Sequence, residues 1–273
     1  MNSCPHTGRP LISSELSDDS FLLSENTGAV YYAKAHSASY NDSYFTDEYK
    51  NQYGKTYLED EINLRRLAKI RLDRIEKYIK PPAFIFEIGC AVGFFLDEAR
   101  LRGYRTGGME ISEFAANHAS KTLHLDVIRG SFAESPLPVI QKHFKTPFDV
   151  IASFYTLEHF PDQKTVFENI SELLKPNGIL AAALPSTNGP LFHFKPDLWI
   201  KTHPADHFAD YSPRSLKKIL PLYGLELLRA YPASYHPERI YPFMIRPPFA
   251  QMYRLFALAA GYGDTMEIIA RKK

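Results

Sequence analysis

The sequence Phe84-Ile85-Phe86-Glu87-Ile88-Gly89-Cys90-Ala91-Val92-Gly93-Phe94-Phe95-Leu96 joins a short apolar run to a turn of small residues and then to a helical pattern. This order indicates a buried strand that leads into a glycine-rich loop at the amino end of a helix. Glycine permits left-handed backbone dihedrals in such a loop and lets a ligand approach the main chain. The free N–H groups of the next helix then face an anionic ligand group. The segment therefore predicts a nucleotide-like cofactor.

A second acidic residue narrows the choice of cofactor. Glu110 ends the next apolar run, where folds of this kind place a carboxylate that binds a ribose. The NAD fingerprint is Gly-x-Gly-x-x-Gly, but Phe94 stands in the place of its third glycine. The loop is not followed by the Gly-Lys-Ser/Thr of a Walker motif either. The residues therefore argue against both NAD and ATP.

The arrangement resembles the class I S-adenosylmethionine (SAM)-dependent methyltransferases. Their first motif is an acidic residue followed by Gly-x-Gly-x-Gly. In this chain the motif is Glu87, Gly89, Ala91 and Gly93, with alanine in place of the middle glycine. The resemblance implies SAM as cofactor and S-adenosylhomocysteine as product.

Two later segments add to the resemblance, which covers Glu59 to about Leu228. The run from Phe148 to Phe160 contains Phe-Asp-Val and then Leu-Glu-His, which is similar to many small-molecule methyltransferases. The sequence Leu174-Lys175-Pro176-Asn177-Gly178 matches the turn of that family into its fifth strand. Both segments occur in the order that the family requires.

The pattern along the chain predicts an α/β fold. Strands are predicted at 83–88, 104–110, 126–129, 148–153 and 179–184, and helical segments follow most of them. Alternating strands and helices indicate a parallel sheet with helices on both faces. The resemblance implies a Rossmann-like methyltransferase sheet that is mostly parallel, with an antiparallel last strand at 265–270 and an N-terminal helical and aromatic cap.

The domain organisation follows from composition. Residues 1–58 are expected to form a mobile N-terminal tail and a tyrosine-rich cap, and residues 59–273 the SAM-dependent methyltransferase domain. The cap tyrosines are either a packing stripe or a lid over the cofactor. Segments 185–211 and 232–248 are expected to be substrate-pocket insertions.

The resemblance also implies which residues contact the cofactor. Glu110 is expected to bind the ribose, and Ser131 stands beside the adenine where the family usually has aspartate. The predicted cofactor-binding residues are Glu87, Gly89, Cys90, Ala91, Gly93, Phe94, Glu110, Ile111, Ser131, Phe132, Ser153, Phe154 and Tyr155.

Histidines supply the candidate catalytic groups. His159 is the first candidate for a general base because histidine titrates near neutrality, and His207 is the second. His159 is also open to a structural role in its loop. His203, Asp206 and His207 can be polar groups of the substrate pocket, structural residues or metal ligands. The sequence leads us to expect no metal.

Composition limits the partners. The 273 residues carry a formal net charge of +1, which gives no nucleic-acid footprint. Two cysteines form no disulfide framework, so a reducing cytoplasm is expected. No apolar run is long enough to span a bilayer, and we expect no membrane partner. The oligomeric state cannot be predicted.

These observations predict SAM-dependent methyl transfer to a small-molecule acceptor, with an O-methyltransferase acting on a hydroxylated metabolite as the preferred interpretation. Two alternatives stay open. One is a methyltransferase-fold protein that binds SAM without transferring methyl groups and acts as a partner or regulator. The other is a protein methyltransferase.

Overall fold

A computed structural model describes residues 2–37, 45, 47, 49–134, 136–145 and 147–273. Its strands are β1 (Ile12–Ser13), β2 (Phe21–Leu23), β3 (Val30–Tyr32), β4 (Phe84–Ile88), β5 (Arg105–Glu110), β6 (Val127–Arg129), β7 (Phe148–Phe154), β8 (Leu174–Pro185), β9 (Ala209–Asp210), β10 (Leu225–Pro232) and β11 (Thr265–Lys272). Its α-helices are α1 (Tyr49–Tyr53), α2 (Glu61–Ile75), α3 (Phe94–Leu101), α4 (Glu113–Asn117), α5 (Pro136–Phe144), α6 (Gln163–Leu173), α7 (Pro190–Phe194), α8 (Pro196–Thr202), α9 (Pro213–Ile219) and α10 (Phe249–Ala260). Short 3₁₀ helices lie at Leu157–His159, Leu220–Tyr223, Pro237–Arg239 and Pro242–Ile245, and a π-helical turn at His118–Thr122.

Seven of the described strands form the main sheet, in the order β10-β11-β8-β7-β4-β5-β6. β4 pairs in parallel with β5 and β7, and parallel pairs also join β5 to β6 and β7 to β8. β11 runs antiparallel to both of its neighbours, β8 and β10. The predicted Rossmann-like sheet with an antiparallel last strand is therefore confirmed.

Burial on both faces explains why the central strand reads as a continuous apolar run. Every residue of β4 is buried. Phe84 and Phe86 belong to the core on one face of the sheet, and Ile85 belongs to the core on the other. A strand covered on both sides has no solvent face, so its sequence does not alternate between apolar and polar residues.

Helix starts follow the capping residues. The side chain of Ser112 accepts a hydrogen bond from the Ala115 amide, so Ser112 caps the start of α4. Asp162 caps α6 in the same way by accepting from the Thr165 amide. The prediction missed α5, because two prolines in its first turn do not read as a helical pattern.

The N-terminal residues differ from the expected mobile tail. β1, β2, β3 and β9 form a second, antiparallel sheet. Cys4 and Tyr31 are buried within the main hydrophobic core, and His6 is also buried. Residues 2–36 are thus a packed part of the fold, because apolar and aromatic side chains spaced among serines and aspartates find partners that lie far away in the sequence.

The segment at 185–211 packs against this second sheet. The Trp199 ring lies 5.0 Å from the Phe21 ring, and β9 pairs with β3. None of the helices in the described part of the chain is long and apolar enough to cross a membrane.

Candidate cofactor and acceptor site

A cavity of about 800 Å³ lies at the carboxyl ends of β4, β5 and β7. Ligands bind at this edge of open α/β sheets, and pockets for small molecules commonly have this size. Twelve of the fifteen residues predicted for the site line the cavity: Glu87, Gly89, Cys90, Ala91, Phe94, Glu110, Ile111, Ser131, Phe132, Phe154, Tyr155 and His159.

The other three predicted residues do not line the cavity. Gly93 caps α3 with φ 92°, and a Cβ at this position would lie 2.7 Å from Leu125 Cδ1, so close packing requires glycine there. Ser153 is fully buried, and its hydroxyl donates to the Ile88 carbonyl. His207 lies behind His159, with the two ring centres 4.7 Å apart.

The loop after β4 lies close to the loop after β7 and is hydrogen-bonded to the end of β5. Gly89 has φ 69°, and a Cβ there would lie 2.7 Å from the hydroxyl of Thr156, which follows β7. Ala91 also has a left-handed backbone, with φ 48°. The Ala91 amide donates to Glu110 Oε2 at 2.8 Å. The alanine in place of the middle glycine therefore occupies a backbone position that favours glycine.

Glu110 links this loop to the end of β5. Its other oxygen, Oε1, accepts from the Ser112 amide at 2.9 Å. Burial raises the pKa of Glu110, while the backbone N–H groups of Ser112 and Ala91 act in the opposite direction. Each carboxylate oxygen accepts more than one hydrogen bond, so both can still accept from a ligand's hydroxyl groups.

Glu87 is buried at the floor of the cavity. Its Oε2 has no hydrogen-bond partner among the described residues. Burial raises the pKa of Glu87 to about 8, although the positive charge of Arg71 lowers it. The Arg71 guanidinium lies 4.0 Å from the centre of the Phe154 ring, and its Nε donates to Glu267 at 3.1 Å.

The prediction missed one wall of the cavity, which the start of α2 provides. The residues of this wall are Asp60, Asn63, Leu64, Leu67 and Arg71. They occupy positions i, i+3, i+4, i+7 and i+11, which places them on one face of a helix. The mixed polarity of this face hides it in the sequence, because a buried helix face is recognised by a stripe of apolar residues.

Part of the predicted aromatic cap also lines the cavity. Its wall includes Phe45, Tyr49 and Tyr57. The ring centres of Phe45 and Tyr57 lie 5.3 Å apart. Tyr31 does not, because it is fully buried in the main core. Positions 38–44, 46 and 48 of the cap lie outside the described residues.

The two predicted insertions lie elsewhere. No described residue of 185–211 or 232–248 lines the cavity, in contrast to the expectation that both segments form the substrate pocket. The first packs on the N-terminal sheet, and the second contributes Tyr235, Ile240 and Met244 to a cluster around Tyr253 and Tyr262. Their aromatic residues serve packing, which composition alone does not distinguish from a pocket wall.

His159 faces the cavity and is oriented by Asp206. Its Nδ1 lies 3.1 Å from Asp206 Oδ2 and 3.2 Å from the Asp206 carbonyl oxygen. Burial by itself lowers the pKa of His159, but the hydrogen bond to Asp206 and the charge of Glu158 outweigh it, so the pKa is raised. Burial lowers the pKa of His207 to about 4. His207 is therefore neutral at neutral pH.

Two curated relatives resemble part of the chain. A ubiquinone biosynthesis O-methyltransferase of Coxiella burnetii is 25% identical over 118 residues, which is 43% of this chain and 50% of the relative. One of Xylella fastidiosa is 28% identical over 127 residues, which is 43% of this chain and 48% of the relative. The chain thus spans about half the length of the curated relatives it matches.

Solved structures resemble the chain over most of its length. Magnesium protoporphyrin IX methyltransferase from Synechocystis PCC 6803, with bound S-adenosylhomocysteine, superposes with a TM-score of 0.56 at 12% identity. The match covers 85% of this chain and 97% of that one. The [4+2]-cyclase SpnF has a TM-score of 0.51 at 18% identity, over 76% and 80% of the two chains. At these identities the likeness concerns the fold alone.

A family model described as a methyltransferase domain matches residues 60–230. This range is more than half of the chain, and it includes β4 to β9 and most of β10. It also includes the glycine loop, Glu110 and His159. The chain therefore belongs to the class I SAM-dependent methyltransferases, a family of enzymes whose methyl donor is SAM.

Proposed function

We propose that this protein transfers the methyl group of SAM to a hydroxyl oxygen of a small hydroxylated metabolite. The supporting observation is that the glycine loop, Glu110 and His159 all line one cavity. One chamber of about 800 Å³ has room for the cofactor and an acceptor side by side. The O-methyltransferase names of the two partial relatives favour oxygen as the accepting atom.

The residues of the cavity suit the parts of SAM. Glu110 has two buried carboxylate oxygens for the ribose hydroxyls, and Ser131 and Phe132 form the wall for the adenine. The loop from Gly89 to Ala91 lies beside the methionine part. The buried, unpartnered Oε2 of Glu87 suits the ammonium group of that part, since a buried carboxylate is stabilised by an opposite charge.

In methyl transfer the protein mainly aligns the acceptor oxygen with the methyl group of SAM. Bound SAM supplies an electrophilic methyl group on a sulfonium centre. The aromatic wall of Phe45, Tyr49 and Tyr57 excludes water and presents ring faces that attract a cation. His159, held by Asp206, lies where it can accept the proton of an acceptor hydroxyl.

Replacing Glu110 tests the cofactor site. Glu110→Ala removes charge-assisted hydrogen bonds worth roughly 1.5–3 kcal/mol, so SAM affinity should fall about tenfold or more. Glu110→Gln keeps one acceptor oxygen, so its SAM affinity should fall less than that of Glu110→Ala. Titration calorimetry with SAM and S-adenosylhomocysteine measures both variants, with Glu113→Ala as an exposed neighbouring control.

Unchanged SAM affinity in Glu110→Ala would remove this residue from the site. A response to NAD or ATP equal to that for S-adenosylhomocysteine would contradict the cofactor assignment. Incubation with isotopically labelled SAM and a panel of hydroxylated metabolites then tests transfer. SAM binding without any transfer would favour the alternative of a cofactor-binding regulator, and labelling of proteins alone would favour a protein methyltransferase.

A further inference from the structure

Three side chains that are able to bind a metal ion converge beside the cavity. Glu158 and His159 belong to the 3₁₀ helix after β7, and His207 lies just before β9. One potential ligand atom from each lies within 4.8 Å of the others. The two imidazole rings are nearly perpendicular, at 78°. The chain brings these residues together across a separation of almost fifty positions.

Two of these side chains are deeply buried and have atoms with unmet bonding capacity. Glu158 is 1% exposed and His207 is 9% exposed. Within the described part of the chain, neither Oε2 of Glu158 nor Nδ1 of His207 has a hydrogen-bond partner. Burying polar atoms without partners is costly, and native proteins rarely do so. A cation bound by both atoms removes this cost.

A nearby carboxylate orients His159 as carboxylates orient the histidines of metal centres. Asp206 contacts Nδ1 of His159, and we assign the opposite nitrogen, Nε2, to the metal. A histidine that binds a metal through one nitrogen usually donates from the other to a carboxylate or carbonyl group, which fixes its tautomer and its orientation.

We propose that Glu158, His159 and His207 bind one divalent transition-metal ion of the zinc type. Imidazole ligands favour such ions over Mg²⁺ or Ca²⁺, which prefer oxygen. Because His159 also lines the cavity, an ion held by these residues would lie beside the acceptor, and a catalytic site of this kind would keep a coordination position for it. A second triad, His203, His207 and Asp210, is less suitable. The 2.8 Å hydrogen bond between His203 and Asp210 already accounts for its closeness.

The catalytic role of this ion rests on the proposed function, which is methyl transfer to a hydroxyl oxygen. An ion held there would act as a Lewis acid: it would lower the pKa of an acceptor hydroxyl, and the hydroxyl would lose its proton to water. An electron pair of the oxygen then forms the bond to the methyl carbon, while the carbon–sulfur bond breaks and its electron pair stays on sulfur as S-adenosylhomocysteine. With the ion bound, His159 would be a ligand that positions the metal, and this role would replace the general-base role proposed for it above.

The test uses the full chain, treated with a chelator and then titrated with Co²⁺ and Zn²⁺. We expect about one equivalent of Co²⁺ with a visible d–d absorption band, and displacement of the band by Zn²⁺. Glu158→Gln and His207→Ala should each weaken binding at least about tenfold, since changes to outer-shell partners alone cost about that much. His143→Ala is the matched control, because His143 is an exposed histidine paired with a carboxylate elsewhere.

A chain without stoichiometric Co²⁺ binding, or variants that bind as the wild type does, would overturn the proposal. Thermal unfolding of the wild type supplies a second measurement that needs no variant, since an ion that binds the folded chain raises its melting temperature. S-adenosylhomocysteine affinity is measured on the same samples. A chain that binds Co²⁺ but not S-adenosylhomocysteine would contradict the proposed function and would still support the metal site.

Discussion

Glu87 illustrates at the scale of one residue how burial affects a carboxyl group in the lining of the cavity. It lies in the central strand β4, where the apolar residues around it provide no donor for Oε2 among the described residues. Burial raises its pKa to about 8. Between its ordinary pKa of about 4.5 and that value, the folded chain binds this proton more tightly than the unfolded chain does. Keeping the buried carboxylate ionised therefore costs free energy, and a cationic ligand group beside it would offset this cost.

Glu87→Gln should therefore change how stability depends on pH. Because the folded pKa is raised, the favourable contribution of the protonated carboxyl is fully present below about 4.5 and is lost as pH rises through about 8. The variant lacks this titration, so its advantage in melting temperature over the wild type should be absent near pH 4 and grow towards pH 8. Differential scanning calorimetry across this range, without cofactor, measures it.

The exposed Glu113→Gln serves as the control for the Glu87 prediction and should follow the wild-type curve. Parallel curves for Glu87→Gln and the wild type between pH 4 and 8 would mean that the carboxyl of Glu87 is not desolvated as burial implies.

At the scale of elements, the position of the loop between β4 and α3 depends on its close approach to the loop after β7. Gly89 has φ 69°, and its Cα faces the Thr156 side chain that follows β7. Both loops end neighbouring parallel strands, so their separation is set by the sheet. A side chain at Gly89 would have to displace one loop from the other, and the cavity lies between them.

Gly89→Ala should lower both stability and SAM affinity. The left-handed backbone costs an alanine roughly 1–2 kcal/mol, and a Cβ at 2.7 Å from the Thr156 hydroxyl adds a clash. Gly28→Ala is a matched control, because Gly28 has φ 78° with nothing within 4 Å of an added Cβ. Chemical denaturation should show a larger loss for Gly89→Ala, and only this variant should lose affinity in calorimetry.

Equal losses of stability in the two variants, with SAM affinity kept in Gly89→Ala, would show that the approach to Thr156 has no consequence for the site.

At the scale of the whole molecule, the N-terminal segment is bonded to the turn that carries His159. His6 contacts the hydroxyls of Tyr223 at 2.7 Å and Tyr211 at 2.9 Å. The Tyr211 hydroxyl donates to Gln163 Oε1 at 2.8 Å. The amide nitrogen of Gln163 donates to the carbonyls of Leu157 and Phe160. A chain of hydrogen bonds therefore joins the first residues to the cavity wall.

Tyr211→Phe should lower the stability of the whole chain. Tyr211 is fully buried, so loss of its hydroxyl leaves polar groups of His6 and Gln163 without this partner. Such a loss costs about 1–3 kcal/mol. Urea denaturation measures it, with Tyr241→Phe as a control at an exposed ring. A change equal to that of the control would mean that this network does not contribute to stability.

The sequence by itself determined the sheet, the class of cofactor and most of the lining of the cavity. These features follow from patterns within short segments, such as the strand, loop and helix from Phe84 to Leu101, whose physical causes are local. Glu110 and His159 could be placed for the same reason, because each follows directly after a strand and strand ends meet at one edge of a parallel sheet.

Only the tertiary structure decided which other residues complete the cavity and which elements pack around it. The α2 face that carries Arg71, the ordered N-terminal sheet, and the meeting of Glu158 with His207 depend on contacts between distant parts of the chain. An aromatic residue in the sequence is equally suited to a pocket or to a core, and aromatic residues of the segment at 185–211, such as Trp199, pack against the N-terminal sheet. Burial and partnership are properties of the packed molecule, because they depend on which residues the fold brings together.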